Sequence, residues 1–140
     1  MTRALGLDLG SVRIGVATSD PGRVIASPYD VITRGKDHAT DHAAIAAAVD
    51  AASVTVVVIG LPKNMSGKET AAAQTVRAEA EELRAVLSVP IVFWDERLST
   101  VTAQRSLIEG GMRRKARKGN VDKVAAAVIL QSWLDAGCPG

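Results

Sequence analysis

The run Val54–Leu61 limits the fold more than any other stretch of the chain. It is a continuous apolar segment rich in Val and Ile, and it reads as a strand buried on both faces. Strands of that kind belong to parallel sheets covered by helices. Pro90–Trp94 is a further buried strand, and it ends in the charged triplet Asp95-Glu96-Arg97. Between the two, Ser66-Gly67-Lys68-Glu69 fits a capping box, with a helix expected to about Leu87. An Ala-rich segment from Asp37 to Ala52 is a helix by propensity. Upstream, Ala4–Leu9 and Val12–Thr18 alternate apolar and small or polar residues, and Val24–Thr33 completes a meander. Downstream, Ser99 or Thr100 caps a helix that Gly110-Gly111 ends. A basic loop follows, and Asn120 caps a last helix whose Val121, Val124, Ala125, Val128 and Ile129 share one face. The order defines an α/β fold with a mixed sheet.

The 140 residues fit a single domain over 1–140, and a hydrophobic share of 47% is enough for a core. Tyr29, Phe93, Trp94 and Trp133 are the only aromatics, too few for a base-stacking platform. Cys138 is the only cysteine, which excludes an intrachain disulfide and a cysteine metal cage. No apolar stretch is long enough to span a membrane, and the N-terminus lacks signal-peptide features. A cytoplasmic protein with no membrane partner is expected.

Carboxylates stand where buried structural residues would be expected. Asp8 lies inside the first strand, where a charge costs free energy unless it is paired or coordinated. Gly6 and Gly10 flank it on the same face, leaving room for a metal or a phosphate backbone. Asp95 and Glu96 lie at the C-terminal end of a parallel strand, the edge where open α/β sheets bind ligands. Asp122 falls in the first turn of the last helix, where a plain dipole role is an equal alternative. Such a set suits two hard cations, Mg²⁺ or Mn²⁺, which activate water and stabilise a leaving oxygen. A one-residue shift reverses the face of a strand, so either Asp95 or Glu96 can be the one that enters the site.

Five of the six residues from Arg113 to Lys118 are cations: Arg113, Arg114, Lys115, Arg117 and Lys118. Gly110, Gly111 and Gly119 bracket them, so a mobile loop that binds phosphates is expected beside Asp122. Without these five, 12 basic residues face 15 acidic ones, so the net charge of +2 hides a mildly acidic body. Arg13 and Arg97 either bind phosphate or pair with a site carboxylate. Gly60 to Lys68 has the strand-loop-helix setting of a phosphate loop, but its spacing is not that of an ATP-binding motif. Its backbone and Lys63 can still meet a substrate phosphate. His38 and His42 stand four apart, as a zinc pair would, but Ala39 follows His38 where a zinc protease needs Glu. With Asp37 and Asp41 beside them, they read as a solvated helix start.

Four ordered blocks resemble one family. They are Gly6-Leu7-Asp8-Leu9-Gly10 with Arg13-Ile14-Gly15-Val16-Ala17 and Ser19-Asp20; Gly60-Leu61-Pro62 with Asn64-Met65 and Gly67; Asp95-Glu96-Arg97-Leu98-Ser99-Thr100 with Ala103; and Lys118–Asp122 with Ala125-Ala126 and Ile129-Leu130-Gln131. Together they resemble the YqgF-type, Holliday-junction-resolvase-like proteins, also described as pre-16S ribosomal RNA nucleases. The resemblance implies an RNase H-like fold, with a five-stranded mixed sheet flanked by helices. It implies a nuclease dependent on two divalent ions, with 5′-end processing of pre-16S rRNA in ribosome biogenesis as the leading role and Holliday junctions in branched DNA as the alternative. It puts Asp8, the Asp95-Glu96 pair and Asp122 on the family's acidic positions, with Asp8, Glu96 and Asp122 the preferred metal ligands and Asp95 among the catalytic acids. Where the family often has an aromatic in the helix after Gly67, this chain has Glu79 or a nearby Ala. Resolvases that cut two strands symmetrically act as dimers, so a homodimer is one expectation and the Ser66–Leu87 helix is a candidate surface. Two competing readings are an ATP-binding module, whose second domain 140 residues are not expected to accommodate, and a non-catalytic nucleic-acid-binding factor.

Overall fold

The computed structural model describes residues 2–62, 69–98 and 114–140, with backbone alone over 114–121. Five strands, β1 (Arg3–Leu9), β2 (Arg13–Ser19), β3 (Ala26–Thr33), β4 (Val54–Leu61) and β5 (Ile91–Asp95), form one sheet in the order β3-β2-β1-β4-β5. The β1–β2 and β2–β3 pairs are antiparallel, whereas β1–β4 and β4–β5 are parallel. The sheet is therefore mixed and five-stranded, as expected. Only Thr55 of β4 reaches solvent. Helices α1 (His38–Ala52) and α2 (Ala71–Arg84) cover one face, and α3 (Arg114–Asp135) crosses the other. No helix among the described residues is long and apolar enough to cross a membrane.

The larger core lies under α1 and α2. Leu5, Leu7, Ile14, Val16, Val57 and Ile59 from the sheet meet Ile45, Val49, Val76, Ala80 and Leu83. Burying each large side chain there contributes about 1.5–3 kcal/mol relative to leaving it exposed. The α3 face is built from smaller residues. Ala4, Ala17 and Val58 meet Ala126, Leu130 and Trp133. The close approach is visible at glycines: a Cβ on Gly6 would fall 2.8 Å from Leu130 Cβ, and one on Gly15 would fall 1.9 Å from the Asp122 carbonyl oxygen.

Three boundaries differ from the sequence reading. β3 begins at Ala26, not Val24. The Asp20 carboxylate accepts the N–H groups of Gly22, Val24 and Ile25, which withholds those residues from the ladder. Gln131 then takes the Ala26 N–H and donates to the Val24 carbonyl. α2 starts at Ala71 behind the cap Thr70, whose hydroxyl accepts the Ala73 N–H. The proposed box at 66–68 lies outside the described residues. The helix expected from Ser99 or Thr100 lies there too. α3 begins at Arg114, so Asn120 is inside the helix and not its cap. Arg, Lys and Ala propagate helix well enough to carry it through Gly119. The basic segment is thus helical from Arg114 onward, not a loop, and Asp122 lies well beyond the first turn.

Candidate active site at the strand ends

β1 and β2 run antiparallel, and Asp8 stands opposite Gly15. Alternation puts Asp8 on the same side as Gly6 and Ala4, the side covered by α3. Gly6 meets Ala126 and Leu130. Two strand residues rise about 6.6 Å and one helical turn about 5.4 Å, so Asp8 comes level with the turn of α3 before Ala126. Gly15 confirms that level, because its Cα rests on the Asp122 backbone. Gly6 therefore makes room for a helix and not for a ligand, contrary to the expectation from sequence. The same glycine contacts bring Asp122 beside the strand that carries Asp8. Asp8 is 5% exposed.

β5 ends two strands away from β1, with Asp95 opposite Leu61 and Trp94 opposite Gly60. The last two acids part here. The Asp95 carboxylate is held by Arg97, whose Nη2 lies at 2.7 Å and whose backbone N–H donates at 2.9 Å. Glu96 opens a short 3₁₀ turn (Glu96–Leu98) and folds over Gly60, where a Cβ would meet its Oε1 at 3.2 Å. Asp8 and Glu96 line one cavity of about 430 Å³, together with Leu9, Gly10, Pro62 and Val76. The geometry thus separates the pair: Glu96 shares the cavity of Asp8, and Asp95 faces Arg97. The guanidinium of Arg97 is raised further above its ordinary value by that hydrogen bond.

The remaining sequence candidates are placed less fully. Arg13 opens β2 half-buried and does not line the cavity. Arg114, Lys115, Arg117 and Lys118 occupy the first turns of α3. Lys63 and Arg113 lie outside the described residues.

The helix start at 37–42 is solvated only in part: Asp37 to Thr40 are exposed, but the next two residues are not. Asp41 and His42 are each 3% exposed, as is Glu79 on α2. Arg34 grips Glu79 with Nη1 at 2.7 Å and Nη2 at 2.8 Å, and its Nη1 reaches Asp41 at 3.3 Å. His42 Nε2 adds a 2.8 Å bond to Glu79, while His38 Nδ1 pairs with Glu82 at 2.9 Å. Burial works to raise the Glu79 carboxyl, but the bonds from Arg34 and His42 outweigh it and hold the group below its ordinary value. His38 is raised, first by its bond to Glu82. The ligand atoms of His38, His42 and Glu79 lie within 4.8 Å of one another. Arg34 occupies both Glu79 oxygens, however, and among the described residues no buried side-chain polar atom lacks a partner. The group closes as an ion-pair network without a metal. Sequence reasoning did not single out Arg34, and it met Glu79 only as a residue standing where the family often has an aromatic. A signal was present: Glu79 sits on the buried stripe of Val76, Ala80 and Leu83.

This arrangement of acids at the strand ends and a helix across the sheet is the RNase H-like fold of the junction resolvases. The chain superposes on Thermus thermophilus RuvC in complex with a Holliday junction substrate with a TM-score of 0.63 at 13% identity, covering 99% of this chain and 98% of that one. The yeast mitochondrial Holliday junction resolvase gives 0.52 at 16%, covering 95% and 78%. At these identities the likeness is one of fold. Sequence then fixes the family: residues 2–136 match the family described as "RuvX: Holliday junction resolvase", and the chain belongs to it. A Paracoccus denitrificans relative named "Putative pre-16S rRNA nuclease" is 51% identical over 130 residues, 93% of this chain and 82% of that protein. A relative of the same name from Caldanaerobacter subterraneus subsp. tengcongensis is 50% identical over 134 residues, 95% and 96%.

Proposed function

We propose that the chain, as one domain over 1–140, is a divalent-metal-dependent nuclease that hydrolyses phosphodiester bonds in structured nucleic acid, and that its substrate is pre-16S rRNA. The observation that carries this reading is the convergence of Asp8 and Glu96 on one cavity at the strand ends, with Asp122 of α3 packed on the neighbouring strand. The donor set fits the metal: carboxylate oxygens suit Mg²⁺ and Mn²⁺. Asp8, Glu96 and Asp122 would hold the ions. When bound, two such ions supply Lewis-acid activation of water and charge stabilisation at the leaving oxygen.

The chain's own groups do the positioning. Asp8 rides on a strand paired on both sides, so its carboxylate has little freedom to follow a misplaced ligand. Glu96 is packed over Gly60, where any larger residue would displace it. Asp95 orients Arg97, which leaves that guanidinium beside the site to meet a phosphate. The cations Arg113, Arg114, Lys115, Arg117 and Lys118, with Arg13 and Lys63, supply the counter-charge for a nucleic-acid backbone. The relatives' names favour RNA; branched DNA is the alternative. A reducing cytoplasmic setting agrees with a single cysteine.

Purified protein incubated with Mg²⁺ or Mn²⁺ on pre-16S rRNA and on four-way DNA junctions, side by side, tests the reading. Metal-dependent cleavage of the RNA is expected, and chelation should abolish it. Asp8→Asn should lower kcat by more than the ~10²-fold typical of losing an outer-shell partner, with the fold intact. Full activity in that variant, or binding without turnover in the native protein, would overturn it. Sedimentation of the same sample reports whether the chain is a monomer or a homodimer.

A further inference from the structure

The turn that follows Asp8 is held from outside the sheet ladder by one side chain. β1 leaves Asp8 through Leu9, and residues 10–12 turn the chain into β2. Arg34 lies just past the end of β3 and reaches this turn twice. Its backbone N–H donates to the Val12 carbonyl at 3.0 Å, and its Nε donates to the Gly10 carbonyl at 2.9 Å. The Gly10 N–H donates back to the Asp8 carbonyl at 3.1 Å. Gly10 itself has no room to move inward, because a Cβ there would fall 2.5 Å from the Arg13 carbonyl oxygen.

The opposite side of the guanidinium is fixed in the core. Its two Nη atoms bind Glu79 bidentately, and one also reaches Asp41, whose other oxygen accepts the Gly35 N–H at 2.7 Å. Asp41 belongs to α1 and Glu79 to α2, both anchored in the larger core through Ile45, Val49, Val76 and Leu83. A guanidinium directs its N–H groups in a rigid planar fork, so fixing one edge fixes the other. The core's rigidity is thereby carried across to the turn behind Asp8.

We propose that Arg34 is a positioning residue for Asp8, acting through the 10–12 turn with Glu79 as its buried counter-ion. The proposal rests on reading Asp8 as a metal-binding carboxylate. Arg34 also borders the cavity, but its guanidinium already makes four bonds to protein acceptors, so it serves the site by holding the turn. A displacement of about 1 Å at a catalytic group costs on the order of 10² in rate, so a loosened turn should be felt strongly in kcat.

Arg34→Ala leaves Glu79 and Asp41 buried without their cation and can unfold the protein. Arg34→Ala combined with Glu79→Gln, and Arg34→Lys alone, keep the test open. Arg84→Ala, which removes an exposed ion pair with Glu81, is the control. Three readouts apply: backbone amide exchange at residues 10–12, Mn²⁺ affinity by calorimetry, and kcat with KM for the RNA. In the folded Arg34 variants, exchange at 10–12 should rise at least about tenfold while β4 is unchanged. Mn²⁺ should bind about 10–100-fold more weakly. kcat should fall on the order of 10²-fold with KM little changed. Methylguanidinium should restore part of kcat in the alanine double variant and none in Arg34→Lys. Wild-type exchange and Mn²⁺ affinity in a folded variant overturn the proposal. So does a loss of kcat that merely follows the unfolded fraction and vanishes well below Tm. If the native protein cleaves neither RNA nor junctions, the nuclease reading fails; amide exchange and Mn²⁺ affinity still decide the role of Arg34.

Discussion

Glu79 and His38 show how single side chains set the pH response of the fold. Hydrogen bonds from Arg34 and His42 hold the Glu79 carboxyl below its ordinary value of 4.5. A depressed carboxyl contributes stability that is full above the unfolded value and is lost as pH falls through the folded one. Glu79→Gln should therefore flatten the acid limb of stability below about pH 4.5, read as urea midpoints against pH. His38 has the opposite sign. Its raised folded value means that its contribution is full below 6.5 and fades as pH rises through the folded value. His38→Gln should remove a small neutral-to-alkaline decline, small because the imidazole and its partner are about half exposed. Asp8 was legible in the sequence because a carboxylate inside an apolar strand needs a reason. Asp41 and His42 were not, because a polar helix start looks the same whether solvated or buried against a cation from elsewhere in the chain.

At the scale of elements, the contact that places the acids is α3 against the sheet. Gly15 touches the Asp122 carbonyl and Gly6 touches Leu130, so α3 lies closer to β1 and β2 than side chains would permit. Gly15→Ala should push α3 away, destabilising by about 1–3 kcal/mol in denaturant melts. It should also lower metal-dependent activity more than its loss of stability explains, because Asp122 moves with the helix. An unchanged midpoint and rate would count against α3 as the element that positions Asp122. Alternation and the apolar run of β4 revealed the strands. The start of α3 was misread, because Gly119 and Asn120 are boundary signals that strong helix formers on both sides override.

For the whole molecule, charge is divided between an acidic body and one basic segment. Replacing Arg113, Arg114, Lys115, Arg117 and Lys118 with Gln should reduce the slope of log affinity against log salt by about 3–4 for single-stranded RNA, at ~0.7 per phosphate contact. Fluorescence anisotropy over a salt series measures this, and an unchanged slope would show that the backbone runs elsewhere.

The sequence by itself determined the α/β class, the mixed five-stranded sheet and the family. These follow from periodicity, strand burial and ordered motifs, which are local in the chain. Only the tertiary structure decided which of Asp95 and Glu96 shares the cavity of Asp8, since one residue of register turns a side chain to the other face. Only it joined Arg34 to Glu79, 45 residues away in the chain, and to the nearer Asp41, because α1 and α2 pack on the same face of the sheet. Hydrophobic patterning states which face is buried, but not which charges will find each other beneath it.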